Sequence, residues 1–342
     1  VRIVVWDEID GEVLVLHTES FAVEKIVPEQ ILDYVFEVLE GLHVSPKTIF
    51  VSIPPVDRSI EIGKYRFQRA HPGNLIRKEE REELLMRVQK KARKELRQKL
   101  AEKKGVLPGE LEMQELHITG QKMDGYEIPY LTKYKGSVVE FDTVGSFYTQ
   151  KFVKALHTTA SKSDIQMLLT PDPVFAVEQY AKKTKKDGVY IEIGDERTLV
   201  VVRAGGRVCW TEEVQMGSIH FIEAIVQGLG EEVSEARESL ERYMQEDLAK
   251  ETAQKVHLLL LEIAKEWQQK VIDVLQHPEC TLAPDILIYG PGAPIPEIKE
   301  VLEDLAEEKL SFVASPQISL LLPHDIWKQS TSFAGSDDPG YT

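Results

Sequence analysis

The stretch GVYIEIGDERTLVVVRAGGRVCW, residues 188–210, alternates apolar and polar positions on both sides of two short polar breaks. That pattern predicts strand, turn, strand, turn, strand. At the first break a buried strand ends in Gly194 and runs through Asp195, Glu196 and Arg197 to Thr198. Glycine suits a tight turn there, and Asp at the next position is a common turn residue, so an ordinary hairpin is one reading. A loop shaped around a charged ligand is the other.

A second stretch raises the same choice. In DILIYGPGAPIPEIKEVL, residues 285–302, an apolar strand runs into Gly290-Pro291-Gly292 and then a helix. Small residues let a ligand approach the backbone, with the helix N-terminus behind it. A tight strand-to-helix turn explains the same residues without a ligand. Neither stretch fits the dinucleotide or P-loop fingerprints.

Composition narrows the classes. At 342 residues and 42% hydrophobic, the chain can bury two cores of ordinary domain size. A net charge of −16 argues against nucleic-acid binding, which needs patterned positive charge. The two cysteines, Cys209 and Cys280, are far apart and in no metal-type spacing. No disulfide is expected, and a reducing, cytoplasmic setting fits them. No apolar run reaches membrane-spanning length, and no signal-peptide pattern opens the chain.

The remaining elements alternate between helix and strand. Two strands meet at Asp10-Gly11, a hairpin signal, and a helix follows from Pro28 to about Leu42. Strands are expected at TIFVSIPP and RSIEIGKYRF. The helix 77–104 has a narrow apolar stripe of Leu84, Val88, Ala92, Leu96 and Leu100. Further strands fall at LEMQELHITG and SVVEFDTV, and a helix covers about 146–159. A strand at IQMLL and a short helix after Pro173 lead to residue 188. Beyond Ser218 come one helix and then two long helices to about Gln276, with apolar positions Val256, Leu260, Ile263, Trp267 and Val271 at helical spacing. A last strand is expected at SFVA, 311–314. The nine histidines form no metal-type pair, and the basic run Lys90–Lys99 reads as a solvated helix face. No catalytic or metal-ligating constellation emerges.

The order of these features resembles the actin-like ATPase superfamily, and within it the FtsA family of bacterial cell division. VRIVVWDEIDGEVLVL is similar to the strand and hairpin after that family's first phosphate loop, which would precede residue 1. Asp124, Gly125, Pro129 and Gly136 resemble the core of its inserted lobe. VYIEIGDERTLVVVRAGG resembles the second phosphate loop, Gly217-Ser218-Ile219-His220 the stretch before the next helix, and Gly290-Pro291-Gly292 the adenosine loop. The resemblance implies an α/β, actin-like (ribonuclease H-type) fold of two halves. It places the first half at 1–54, an inserted α+β lobe at 55–160, the second half at 161–230, and a reduced, helical lobe at 231–277. Residues 278–342 complete the second half and return to the first.

The departures bear on chemistry. Glu192 stands where the family has a metal-supporting Asp. Asp195 and Glu196 replace glycines that face phosphate, Arg197 a threonine, and Ser218 a glycine; Gly194, Thr198 and Gly217 are kept. A carboxylate about 4 Å from a phosphate charge costs roughly 4 kcal/mol at an effective dielectric near 20. These residues therefore imply a vestigial site, with no cofactor required and ATP–Mg²⁺ bound weakly at most.

The function implied is a cytoplasmic adaptor that couples the tubulin-like division protein to the membrane and meets other division proteins. Self-polymerisation through the inserted lobe is implied too. Membrane contact would need an amphipathic segment beyond Thr342. The alternatives are a PilM-type scaffold of type IV pilus assembly and an actin-fold kinase or ATPase with an atypical phosphate loop. The kinase needs a catalytic Asp in an intact Gly-rich loop, which is absent from the sequence.

Overall fold

The computed structural model describes residues 2–9, 12–20, 28–43, 46–51, 58–160, 166–169, 173–278, 280–305 and 310–321. Strands β1 (Arg2–Ile9) and β2 (Glu12–Ser20) pair antiparallel, as the alternation requires. Their Asp10-Gly11 turn lies outside the described residues. Helix α1 (Pro28–Gly41) packs Phe36 towards Tyr148, Phe152 and Leu156. Strand β3 (Thr48–Val51) runs parallel to β8 (Gln166–Leu169).

Residues 58–149 make a sheet of their own, in the order β4-β7-β5-β6. Its strands are β4 (Arg58–Gln68), β5 (Leu111–Met123), the short β6 (Tyr126–Glu127) and β7 (Val138–Thr149). Helix α2 (Lys78–Lys104) lies on one face. All five residues of its predicted stripe are buried there, against Phe67, Phe141 and Phe147 among others. Both ends of α2 are fixed locally. The buried Arg69 guanidinium donates to both oxygens of Glu80, at 2.7 and 2.9 Å, and Gly105 closes the helix at φ +67°. That left-handed turn favours glycine.

Helix α3 begins at Gln150 and runs to Ala160, four residues later than the sequence pattern suggests. Residues 146–148 stay extended because β4 and β5 flank them on both sides, and neighbouring strands outweigh local helix propensity.

The larger sheet has the order β11-β10-β9-β12-β13. Strands β9 (Gly188–Ile193), β10 (Thr198–Ala204) and β11 (Arg207–Val214) form the antiparallel meander read from the opening stretch. Strand β12 (Asp285–Tyr289) joins β9 in parallel. Helix α4 (Pro173–Thr184) covers one face. The other face carries α5 (Ser218–Leu229), α6 (Val233–Met244), α7 (Lys250–Leu275) and α8 (Pro296–Glu303). Residues 231–277 are thus two helices without a strand. Their buried side chains share one core with Ile191, Ile193, Val200 and Val202 of the sheet. Trp267, fully buried, ties the two together by donating its indole N–H to Thr198 Oγ1 at 2.9 Å.

Two expectations fail. The last strand is β13, Gln317–Leu320, and the SFVA segment holds only a single bridge, Leu282 to Phe312. Parallel pairing with β12 selects residues that continue its edge, and QISL is in that register. The cysteines also meet, as a Cys209–Cys280 disulfide. The end of α7 passes over β11, where the rings of Trp210 and His277 lie 6.2 Å apart, and that crossing joins residues 71 apart in sequence. Cysteine usage therefore carries no argument for a reducing compartment. Among the described residues, no helix is long and apolar enough to cross a membrane.

The two sheets meet through Val144, Ile60 and Ile62, which pack with Leu199, Val201 and α4. At this seam the His117 ring stacks on Phe175, centroids 3.6 Å apart. Burial first, and then the Lys182 charge, hold the His117 imidazole below its ordinary range. The folded state therefore favours the neutral ring; its contribution is whole above the unfolded value, about 6.5, and is lost as pH falls from there through the lower folded value. We predict that His117→Leu flattens the stability–pH curve below that point, measured by urea unfolding between pH 8 and pH 5. Identical curves for the two proteins would refute this.

Candidate functional site

Three of the predicted segments converge where β9 and β12 end side by side. In parallel sheets this carboxyl edge is the usual place for a ligand. Gly194 N–H donates to Arg197 O at 2.9 Å, closing the turn between β9 and β10. The turn's carbonyls then face the start of α5. Ser218 N–H donates to Gly194 O at 2.8 Å, and Ile219 N–H to Asp195 O at 2.9 Å. The Ser218 hydroxyl lies 3.1 Å from Asp195 Oδ1. These are helix N-terminal donors with no partner inside the helix, and the chain's own turn uses them.

The glycines follow from this closeness. A Cβ on Gly217 would lie 2.5 Å from both Gly194 O and Asp195 O. Gly290 has φ +96°, and its Cβ would lie 2.6 Å from Ile193 O. Gly292 N–H donates to Ile193 O at 3.0 Å, and Pro291 between them is exposed. The Gly-rich loop thus closes down on the end of β9.

The remaining predicted residues divide between core and surface. Thr198 is fully buried; its hydroxyl donates to Met216 O at 2.7 Å and accepts from Trp267. Asp195 and Glu196 are exposed. Arg197 pairs with Glu213 at 3.1 Å. Glu192 meets Arg58 of β4 at 3.3 Å, across the seam between the two sheets. Burial raises the Glu192 carboxyl above its ordinary range, and the Arg58 charge opposes that shift without cancelling it. Arg58 is the partner that sequence reading misses. It opens a strand directly after residues with no distinctive pattern, and only tertiary pairing reveals its role.

A nucleoside triphosphate and its metal make definite demands on the groups around them. Phosphate oxygens need unpaired backbone N–H groups, and those of Ser218 and Ile219 are already bonded. A metal shell needs a free carboxylate at position 192, and that carboxylate faces a guanidinium. The Ser218 and Ile219 amides and the Glu192 carboxylate are thus engaged within the chain.

The site is the carboxyl edge of an actin-like fold with its loops closed on one another. No family model matches the chain, and no curated protein matches its sequence. Among solved structures, the chain is similar to PilM of a PilM–PilN type IV pilus biogenesis complex, with TM-score 0.60 and 13% identity over 97% of this chain and 92% of that one. It is also similar to MreB5 of Spiroplasma citri bound to AMPPNP, with TM-score 0.39 and 14% identity over 54% of this chain and 64% of that one. The first likeness spans both sheets and establishes the actin-like, two-half architecture.

The Arg58–Glu192 pair gives a quantitative test. Arg58 is buried, so Glu192→Ala removes a carboxylate from beside its guanidinium. We expect a loss of roughly 2–3 kcal/mol, below the usual cost because Glu192 keeps one edge in water. The Arg58→Met, Glu192→Met double variant should lie close to wild type in the same denaturation series. A double variant as unstable as the sum of the singles would show that the pair is not coupled.

Proposed function

We propose that this chain is an actin-fold scaffold of the PilM kind, acting at the cytoplasmic base of a type IV pilus-like assembly through protein contacts. The observation that carries the reading is the end-to-end likeness to PilM in its complex with PilN. The division-adaptor reading drew on Asp124, Gly125, Pro129 and Gly136. In the structure Asp124 accepts from Ser137 N–H and Val138 N–H, at 3.0 and 2.8 Å, and holds the tip of the lobe sheet together. That role is local and says nothing about a partner, so the motif does not favour division over pilus assembly.

The same reading makes the nucleotide site vestigial. The bonded α5 donors, the Arg58–Glu192 pair, and the exposed Asp195 and Glu196 all support it. Glycine at 195 and 196 would remove like charge, but the α5 donors would stay bonded to the turn's carbonyls.

Two measurements test the proposal. The full-length gene product, mixed with the PilN-type protein of the same genome, should elute as a stoichiometric complex, and its deletion should abolish pili and leave septa normal. Normal pili with failed septa would return the protein to the division adaptors. Calorimetric titration with ATP and Mg²⁺ should show weak or no binding, and the Asp195→Gly, Glu196→Gly variant should bind more tightly through relief of repulsion. Submicromolar binding by the wild type would end the vestigial-site reading.

A further inference from the structure

A large cavity lies beside the closed turn, with Arg197 of that turn in its lining. It measures about 950 Å³ and opens between the inserted sheet and the larger sheet. The end of α2, the start of β4, the first turn of α3 and the β10–β11 pair form its walls. Its floor is apolar, made by Ile60, Leu100, Leu111 and Leu199. Its charged groups are five cations, Lys103, Lys104, Lys151, Lys154 and Arg197, against three carboxylates.

Each of those carboxylates has a local task. Glu212 pairs with Lys103 at 3.0 Å, Glu213 with Arg197, and Glu110 accepts from Leu107 N–H at 2.8 Å. Lys151 and Lys154 are exposed and meet no carboxylate among the described residues. They sit in the first turns of α3, which has no acidic residue in its opening turn. Cations at that end oppose the helix dipole, so their placement is not explained by the stability of α3. In a chain of net charge −16, this rim is a local inversion of sign.

We propose that this cavity receives an acidic segment of a partner protein, seating apolar side chains on the floor and carboxylates against Lys151 and Lys154. The inference rests on the scaffold reading and adds the location and chemistry of one contact. The cavity stands at the upper end of ligand-pocket sizes. Its lysines lie on an exposed rim, whereas a small phosphorylated ligand is held by convergent buried donors. Rim charges of this kind steer and select an acidic segment, and the acidic remainder of the surface repels it elsewhere.

The test uses fluorescence anisotropy with a labelled peptide of alternating glutamate and leucine, a lysine–leucine control peptide, and the full chain. The acidic peptide should bind and weaken with salt, and the control should not bind. The Lys151→Glu, Lys154→Glu variant should lose roughly tenfold or more in affinity, while Lys90→Glu, Lys94→Glu on the outer face of α2 stays near wild type. Carbodiimide coupling should join peptide carboxylates to Lys151 or Lys154, read by mass spectrometry. No binding of the acidic peptide, equal loss in both charge-reversal variants, or displacement by inorganic phosphate or ATP would overturn the proposal. Peptide binding without a PilN-type complex would sink the scaffold reading and leave the site; a complex without peptide binding would do the reverse.

Discussion

The amides at the start of α5, which have no acceptor within their own helix, constrain the loops around them. A helix that begins against the carboxyl edge of a sheet presents N–H groups that must find acceptors. In a ligand-binding protein those acceptors arrive with the ligand. Here the turn after β9 supplies them, through Gly194 O and Asp195 O. Once that choice is made, Gly217 has to lack a side chain, and Gly290 and Gly292 have to let their loop settle on Ile193. The retained glycines thus have an internal reason to be there, in chain-to-chain packing.

The same turn also anchors the far side of the sheet. Thr198 directs its hydroxyl to Met216 O and receives the Trp267 indole, so the β9–β10 turn, the α5 entry and α7 form one bonded unit. That unit lies within the largest core, where Trp267, Leu260 and Val256 are fully buried. Moving the turn outward to admit a ligand would break buried hydrogen bonds as well as contacts.

Legibility in the sequence followed the range of each interaction. The β9–β11 meander, the five-residue stripe of α2 and the helical stretch 231–277 were readable because periodicity reports which face is buried. The convergence of residues 192–198, 217–218 and 290–292 was legible only through the order of weak motifs along the chain. Three features were not legible. Strand β13 depends on a register with β12, the Cys209–Cys280 disulfide on where α7 crosses β11, and the Glu192 partner on how two sheets meet. Each is a contact between residues distant in sequence, and no local pattern encodes it.

Arg58 explains how a carboxylate is kept at position 192, at the end of β9. A carboxylate half-buried at the end of β9 is costly unless a positive charge offsets it. In a metal-bound site a cation performs that service from the ligand side. Here the guanidinium comes from β4, on the opposite sheet. The pairing spans the seam between the inserted lobe and the larger sheet, close to Ile60 and Leu199, which pack across it. The pair ties the inserted lobe to the larger sheet, beside the lysine-rimmed cavity between them. For the partner segment proposed above, such a tie would leave less ordering to be done on binding.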